Sequence, residues 1–150
     1  MKTIKASYQY KAEWLQLRLS LWPEVSKEVH EKEIEQMLSS TERFVVFFSI
    51  ESDKDILGFL EASIREIIDE GCVFKKIGYI EGWYVKPKHR NKGIGCSLAI
   101  AAEKWMLDQG LKEIGSDTDI ENIISQKAHH SLGYREVDRL ILYRKNIKGV

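Results

Sequence analysis

The sequence predicts one mixed α/β (α+β) domain over residues 1–150, a central sheet with helices on its faces. Strand-like and helix-like segments alternate along the whole length. A basic, glycine-containing loop, Val85-Lys86-Pro87-Lys88-His89-Arg90-Asn91-Lys92-Gly93-Ile94-Gly95, joins a strand to an amphipathic helix. With 43% hydrophobic residues the chain can bury a sizeable core, and no Pro/Gly/Ser-rich linker, repeat or low-complexity tract divides it.

Each element has its own signal. Residues 2–6 read as a short strand, and a helix over 11–21 stops before Pro23, whose ring cannot continue it. A second helix runs over 26–38. Three strands follow: 43–50, then 56–65 past the turn Ser52-Asp53-Lys54-Asp55, then 78–85. After the basic loop, Leu98, Ala101, Ala102, Trp105 and Gln109 fall at helical spacing. Residues 112–117 read as a strand, 122–132 as a helix with Gly133 as its stop, and 135–145 as a final strand.

The loop reads as a phosphate cradle. The first turn of a helix leaves backbone N–H groups unpaired and carries a partial positive charge, so a pyrophosphate docks there if no side chain blocks it. Gly93 and Gly95 remove that block. A Walker loop fails, because Gly95 is followed by Cys96-Ser97, and a dinucleotide fingerprint fails, because Leu98 stands where a third glycine is needed. The plainer alternative is an ordinary helix start with basic residues in solvent.

Composition excludes several classes. Twenty-three basic residues offset 23 acidic ones, which gives no whole-chain bias toward nucleic acid or membrane. Cys72 and Cys96 make no disulfide framework, and Met1-Lys2-Thr3-Ile4-Lys5 lacks the apolar core of a signal peptide, so the expected compartment is the reducing cytoplasm. No apolar run approaches the roughly 18 residues of a membrane span. His129 and His130 are not spaced as ligands with a nearby cysteine or acid, so no metal site is expected.

Arg90, Gly93 and Gly95 match Arg/Gln-x-x-Gly-x-Gly/Ala, which resembles the acetyl-coenzyme A motif of the GNAT family of N-acetyltransferases. The element order resembles that family's fold, with the loop where the family places it. The resemblance implies that strands 78–85 and 112–117 run parallel and splay apart, opening a slot for the pantetheine arm of acetyl-CoA. It also implies coenzyme contacts at Trp83, Tyr84 and Val85, at Arg90, Asn91, Lys92, Gly93, Ile94 and Gly95, and at Asn122, which leads a block ending Leu132-Gly133-Tyr134. Asn122 reads equally as the cap of its helix.

Five segments are similar to one branch, the aminoglycoside 6'-N-acetyltransferases: Leu21-Trp22-Pro23, Glu61-Ala62-Ser63-Ile64-Arg65, Glu81-Gly82-Trp83-Tyr84-Val85, Ser116-Asp117-Thr118 and Leu140-Ile141-Leu142-Tyr143-Arg144-Lys145. The resemblance implies acetyl transfer to the 6'-amino group of an aminoglycoside by direct attack in a ternary complex, conferring resistance. It implies aminoglycoside contacts at Trp22, Glu81, Asp117 and Asp138; at the aligned position where relatives carry an aromatic, this chain has Ile68, without a ring. Two readings stand beside this one: an acetyltransferase for another amine, such as a polyamine or a protein N-terminus, and a coenzyme-sensing module without chemistry.

The chemistry asks for a base, because an alkylamine with a reference pKa of about 10.4 arrives protonated. Glu81 is the candidate catalytic residue. Pleat alternation puts Glu81, Trp83 and Val85 on one face, a carboxylate among large apolar side chains, which is unfavourable unless the charge is paired or used. A structural ion pair with Arg65 is the alternative. Gly82 permits a bulge or a close ligand approach. Asp117, Asp119, Glu121 and Asp138, with Glu24, Asp69 and Glu70 in loops, form an expected acidic funnel for a polycation, or simply solvated carboxylates. His129 holds the position where the family often carries a tyrosine acid, and is read as helix packing or a coenzyme contact; Tyr143 is an alternative proton donor. The strand over 135–145 has no turn signal, so its open edge predicts pairing with a second copy in a homodimer.

Overall fold

Apolar strand runs and amphipathic helices generate most of the expected elements. The computed structural model describes residues 1–148 apart from Lys54, Asp69, Glu70 and Cys72, and its contacts divide the chain into the units Met1–Asp117 and Thr118–Val150. The first unit contains β1 Lys2–Lys5, α1 Lys11–Leu21, α2 Lys27–Ser39, β2 Phe44–Ser52, β3 Asp55–Ile68, β4 Phe74–Val85, α3 Ile94–Asp108 and β5 Ile114–Ser116. Its sheet has the order β1-β2-β3-β4-β5, antiparallel throughout except for the parallel β4–β5 pair.

Local chemistry sets the boundaries. α1 ends at Trp22 before Pro23, and the Ser26 hydroxyl caps α2 by accepting from the Val29 N–H at 3.3 Å. The β3–β4 hairpin runs three residues further on β3 than expected and starts four earlier on β4, closing at Ile68↔Phe74. Opposite charges at Glu66↔Lys76 favour that extension. The predicted loop acids Asp69 and Glu70, and Cys72, lie outside the described residues.

Helices cover both faces of the sheet. On one, Trp14 of α1 and Ile34 of α2 are fully buried against Phe48 and Phe59, with Trp14 edge-on to Phe48 at 5.3 Å. On the other, Leu98, Ala99, Ala102 and Met106 of α3 are buried. Met106 lies so close to Gly78 that a Cβ there would meet its Sδ at 2.7 Å, so glycine is what lets helix and strand approach.

The β4–β5 ladder stops at Ile80↔Ser116, while β4 continues to Val85. Beyond that point β5 has ended, and this edge of β4 faces no strand among the described residues.

The second unit holds α4 Ile123–Ser131, started by an Asn122 side chain that accepts from the Ser125 N–H at 3.0 Å and stopped by Gly133 at φ 88°. The strand expected over 135–145 does not form: residues 135–148 carry no regular structure and are exposed, Leu142 at 89% and Ile147 at 91%. Apolar and β-branched composition makes a segment competent for a sheet, but a strand exists only where a neighbour takes its N–H and C=O groups.

Candidate active site

A single extra residue organises the site. Across β3 and β4, Glu61 opposes Gly82 and Ala62 opposes Ile80, so Glu81 is the unpaired residue of a β-bulge. The bulge breaks the expected alternation and corrects it. Glu81 leaves the face of Trp83: its carboxylate joins Ser63 and Arg65 on the α1–α2 side, whereas Trp83 points to α3, lying 3.3 Å from where a Gly95 Cβ would stand. Nor is Glu81 sunk among apolar side chains. Ser63 Oγ donates to its Oε1 at 2.6 Å, and Arg65 grips it bidentately, Nε to Oε1 at 2.8 Å and Nη2 to Oε2 at 2.6 Å. The ion pair with Arg65 weighed from the sequence is therefore present.

That pair extends toward β5. The Arg65 guanidinium lies 3.6 Å over the Tyr79 ring, and the Tyr79 hydroxyl donates to Asp117 just past the end of β5. Burial and then the Asp117 hydrogen bond push the Tyr79 phenol up to about 12. Glu81 and Asp117, far apart in sequence, thus meet through Arg65 and Tyr79.

Trp22 is held by a buried charge network that sequence reasoning missed. Arg18 and Glu61 are each 2% exposed; Arg18 Nη1 donates to Glu61 Oε1 at 2.6 Å, and Trp14 Nε1 donates to the same oxygen at 2.9 Å. Burial pushes the Glu61 carboxyl up, opposed chiefly by the Arg18 charge. Arg18 Nε donates to His30 Nδ1 at 3.0 Å, which places the ring proton on Nε2, facing the Trp22 carbonyl oxygen at 3.2 Å. Trp22 stacks on the His30 ring, with the Arg18 guanidinium 4.9 Å from its own ring. Its far edge overlies Gly82, where a Cβ would fall 2.4 Å from the indole and 3.4 Å from Glu61 Oε2. A signal existed in the sequence: Arg18 four residues after Trp14, His30 four before Ile34, and Glu61 within a run of buried apolar positions all break apolar stripes.

Arg18, Trp22, His30, Glu61, Arg65 and Glu81 line a cleft of about 1230 Å³ in the first unit. Its carboxylates are Glu33, Glu42, Glu61, Glu66 and Glu81, so the acids around it come from helices and strands more than from the loops expected. Glu24 is exposed beyond α1, Asp119 and Glu121 are exposed in the second unit, and Asp138 there accepts from the Arg139 N–H at 2.8 Å. Ile68 is exposed at the hairpin end, and the ring absent from that position stands directly across on Phe74, also exposed.

The cradle starts α3. Gly93 is its N-cap at φ 82°, Asn91 is also left-handed at φ 62°, and no side chain caps the helix. The first-turn N–H groups therefore remain for an anion, a donor set that fits a pyrophosphate. Arg90 donates to the Val85 carbonyl at 2.8 Å and lies 5.5 Å from the Tyr84 ring, pinning the loop to the end of β4; Lys92 is exposed and Ile94 buried. In the second unit, Asn122 acts as a helix cap, His129 Nδ1 faces the Ser125 carbonyl at 2.7 Å and is edge-on to Tyr134, and Tyr143 is exposed.

Comparison with known proteins gives a consistent result. The model of the acetyltransferase (GNAT) family matches residues 11–134. The aminoglycoside N(6')-acetyltransferase type 1 of Klebsiella aerogenes is 38% identical over 136 residues, 89% of this chain and 89% of that protein. That of Salmonella typhimurium is 36% identical, with 88% of this chain and 90% of the relative covered. Among solved structures, AAC(6')-Iy in complex with the bisubstrate analogue CoA-S-monomethyl-acetylneamine superposes with a TM-score of 0.87 at 33% identity, covering 97% of this chain and 98% of that one. AAC(6')-IG from Acinetobacter haemolyticus gives 0.86 at 33% identity, covering 99% and 100%.

Proposed function

This chain belongs to the GNAT family of acetyltransferases, and from that membership we propose that it transfers the acetyl group of acetyl-CoA to the 6'-amino group of aminoglycosides, the activity that confers resistance to them. The observation that carries the reading is the 38% identity to an aminoglycoside N(6')-acetyltransferase over 89% of both chains. It is supported by a cleft in which Trp22 and Glu81 stand together with four further carboxylates, Glu33, Glu42, Glu61 and Glu66.

Acetyl-CoA supplies an activated thioester when bound. The backbone of Gly93, Ile94 and Gly95, with Arg90, Asn91 and Lys92, would hold its pyrophosphate, and the β4 edge at Trp83, Tyr84 and Val85 would pair its pantetheine amides; Asn122 is a coenzyme contact on the strength of the family resemblance alone. Trp22, Asp117 and the Ile68 end of the hairpin would bind the aminoglycoside, with Glu81 receiving the ammonium to be acylated; Asp138 is an aminoglycoside contact on the strength of the family resemblance alone. Glu81 would take one proton of the ammonium; the freed lone pair would form the C–N bond as the C–S bond breaks, and the second proton lost from the nitrogen would pass to the departing coenzyme A thiolate. A thiol of reference pKa about 8.5 is a tolerable leaving group, so no dedicated acid is assigned, and His129 serves helix packing. Holding both substrates together supplies much of the rate.

The enzyme would work in the cytoplasm, where acetyl-CoA is made, as one functional domain over residues 1–150 and as a homodimer. The dimer reading rests on the exposed apolar residues Val137, Leu140, Ile141, Leu142, Tyr143 and Ile147, which a second copy's strand would cover.

The test is to incubate the protein with acetyl-CoA and, in separate reactions, neamine, spermidine and a peptide with a free N-terminus, following free thiol and locating the acetyl group by NMR. Turnover on neamine at the 6' nitrogen is expected. Turnover confined to spermidine or to the peptide, or none at all, would overturn the proposal.

A further inference from the structure

Arg65 occupies the position a cationic substrate must reach. Both Glu81 oxygens accept from its guanidinium, at 2.8 and 2.6 Å, and the side chains of Arg65 and Glu81 are 41% and 30% exposed, so the pair faces the cleft rather than the core. The same guanidinium stacks on Tyr79, whose hydroxyl binds Asp117. The Glu81 hydrogen bond, with a further contribution from Asp117, strengthens the hold of Arg65 on its proton. Arg65 therefore neutralises Glu81 directly and reaches Asp117 through Tyr79, two of the carboxylates that the proposed function gives to the aminoglycoside.

We propose that Arg65 is the resident counter-ion of the amine site, so that substrate binding exchanges one cation for another and Arg65 determines which amines succeed. The inference rests on the function proposed above. A single alkylammonium is a compact point charge with three donors and cannot match a planar fork making two parallel hydrogen bonds while stacked on a ring. It displaces Arg65 only when other ammonium groups of the same molecule gain contacts elsewhere in the cleft, where Glu42 and Glu66 also stand. Small monoamines are thus excluded by competition rather than by shape, and polycations are selected. Displacement strands nothing: the released guanidinium keeps the face of Tyr79, and Ser63 still orients the Glu81 carboxylate.

The experiment compares wild type, Arg65→Gln and Arg65→Lys with neamine and with cyclohexylmethylamine, a monoamine carrying the same aminomethyl group on a ring. Steady-state kcat and KM for each amine, KM for acetyl-CoA, and Tm are measured. Removing the competitor should lower the amine KM in Arg65→Gln and narrow the kcat/KM advantage of neamine about tenfold, roughly 1.4 kcal/mol of lost discrimination. Arg65→Lys should recover part of that advantage, and KM for acetyl-CoA should not move. A fall in kcat with unchanged amine KM would make Arg65 a mere aligner of Glu81 and overturn the proposal, as would an unchanged preference for neamine. If Arg65→Gln does not fold, the side-chain NMR signal of Arg65 in wild type decides: it must shift when neamine saturates the enzyme with coenzyme A present, and a stationary signal overturns the proposal. Failure of wild type to acetylate neamine would instead overturn the parent function, and this inference with it.

Discussion

Glu81 and Asp117 carry the same charge but are assigned different work, and substitution separates them. Glu81→Gln keeps the shape and removes the base, so kcat should fall about 10²- to 10⁴-fold with Tm nearly unchanged. Asp117→Asn removes a charge at the end of β5 and leaves the cradle on α3 alone, so the amine KM should rise about tenfold while KM for acetyl-CoA stays fixed. Equal losses for both substrates in Asp117→Asn would mark a folding defect and remove its assigned role. Tyr79 offers a titration. Its phenol is raised from the ordinary 10.0 to about 12, so in that interval the unfolded chain ionises first. The stability Tyr79 contributes is intact below pH 10 and is lost as the pH rises toward about 12. Absorbance at 295 nm should show one late phenol that disappears in Tyr79→Phe; an identical curve in the variant would refute the shift.

At the scale of elements, two glycines test two close approaches. Gly82 lies under Trp22, 2.4 Å from a would-be Cβ, so Gly82→Ala must push the indole away and should raise the amine KM several-fold with little change for acetyl-CoA. Isothermal titration with each ligand separates the two effects. A Cβ at Gly95 would stand 3.3 Å from Trp83, so Gly95→Val crowds the first turn of α3 against β4 and should abolish acetyl-CoA binding. Unchanged coenzyme affinity in that variant would make the cradle assignment wrong. Gly93 differs in kind: nothing lies within 4 Å of its Cβ position, and its φ of 82° is the reason for glycine there. Gly93→Ala should cost about 1–2 kcal/mol of stability, read as a lower midpoint in urea.

At the scale of the whole molecule, the exposed segment 135–148 is the feature most in need of a partner. Free chain carrying Val137, Leu140, Ile141 and Leu142 in water is unfavourable by roughly 25 cal/mol per Å² of apolar area that a second copy could cover. Light scattering should therefore report a dimer at micromolar concentration, and a strict monomer would refute the assembly. Substituting Leu140 and Leu142 by Ser should shift the mass toward a monomer.

Periodicity and punctuation sufficed for much of the molecule. Pro23, Ser26, Gly133 and the apolar spacing of α1 to α4 act within a few residues of themselves, so helix positions and the strand order of alternation were legible in the sequence, as was the family through its pattern at Arg90, Gly93 and Gly95. Local signals could not decide the face of Glu81, because a single unpaired residue between Glu61↔Gly82 and Ala62↔Ile80 depends on how two strands register. Nor could they decide whether residues 135–145 form a strand, since that depends on a neighbour. The lattice of Arg18, His30 and Glu61 beneath Trp22, and the chain from Glu81 through Arg65 and Tyr79 to Asp117, join residues 12 to 43 positions apart. Only the tertiary structure brings them within hydrogen-bonding distance, because burial makes such charges find one another while sequence spacing carries no record of who is near.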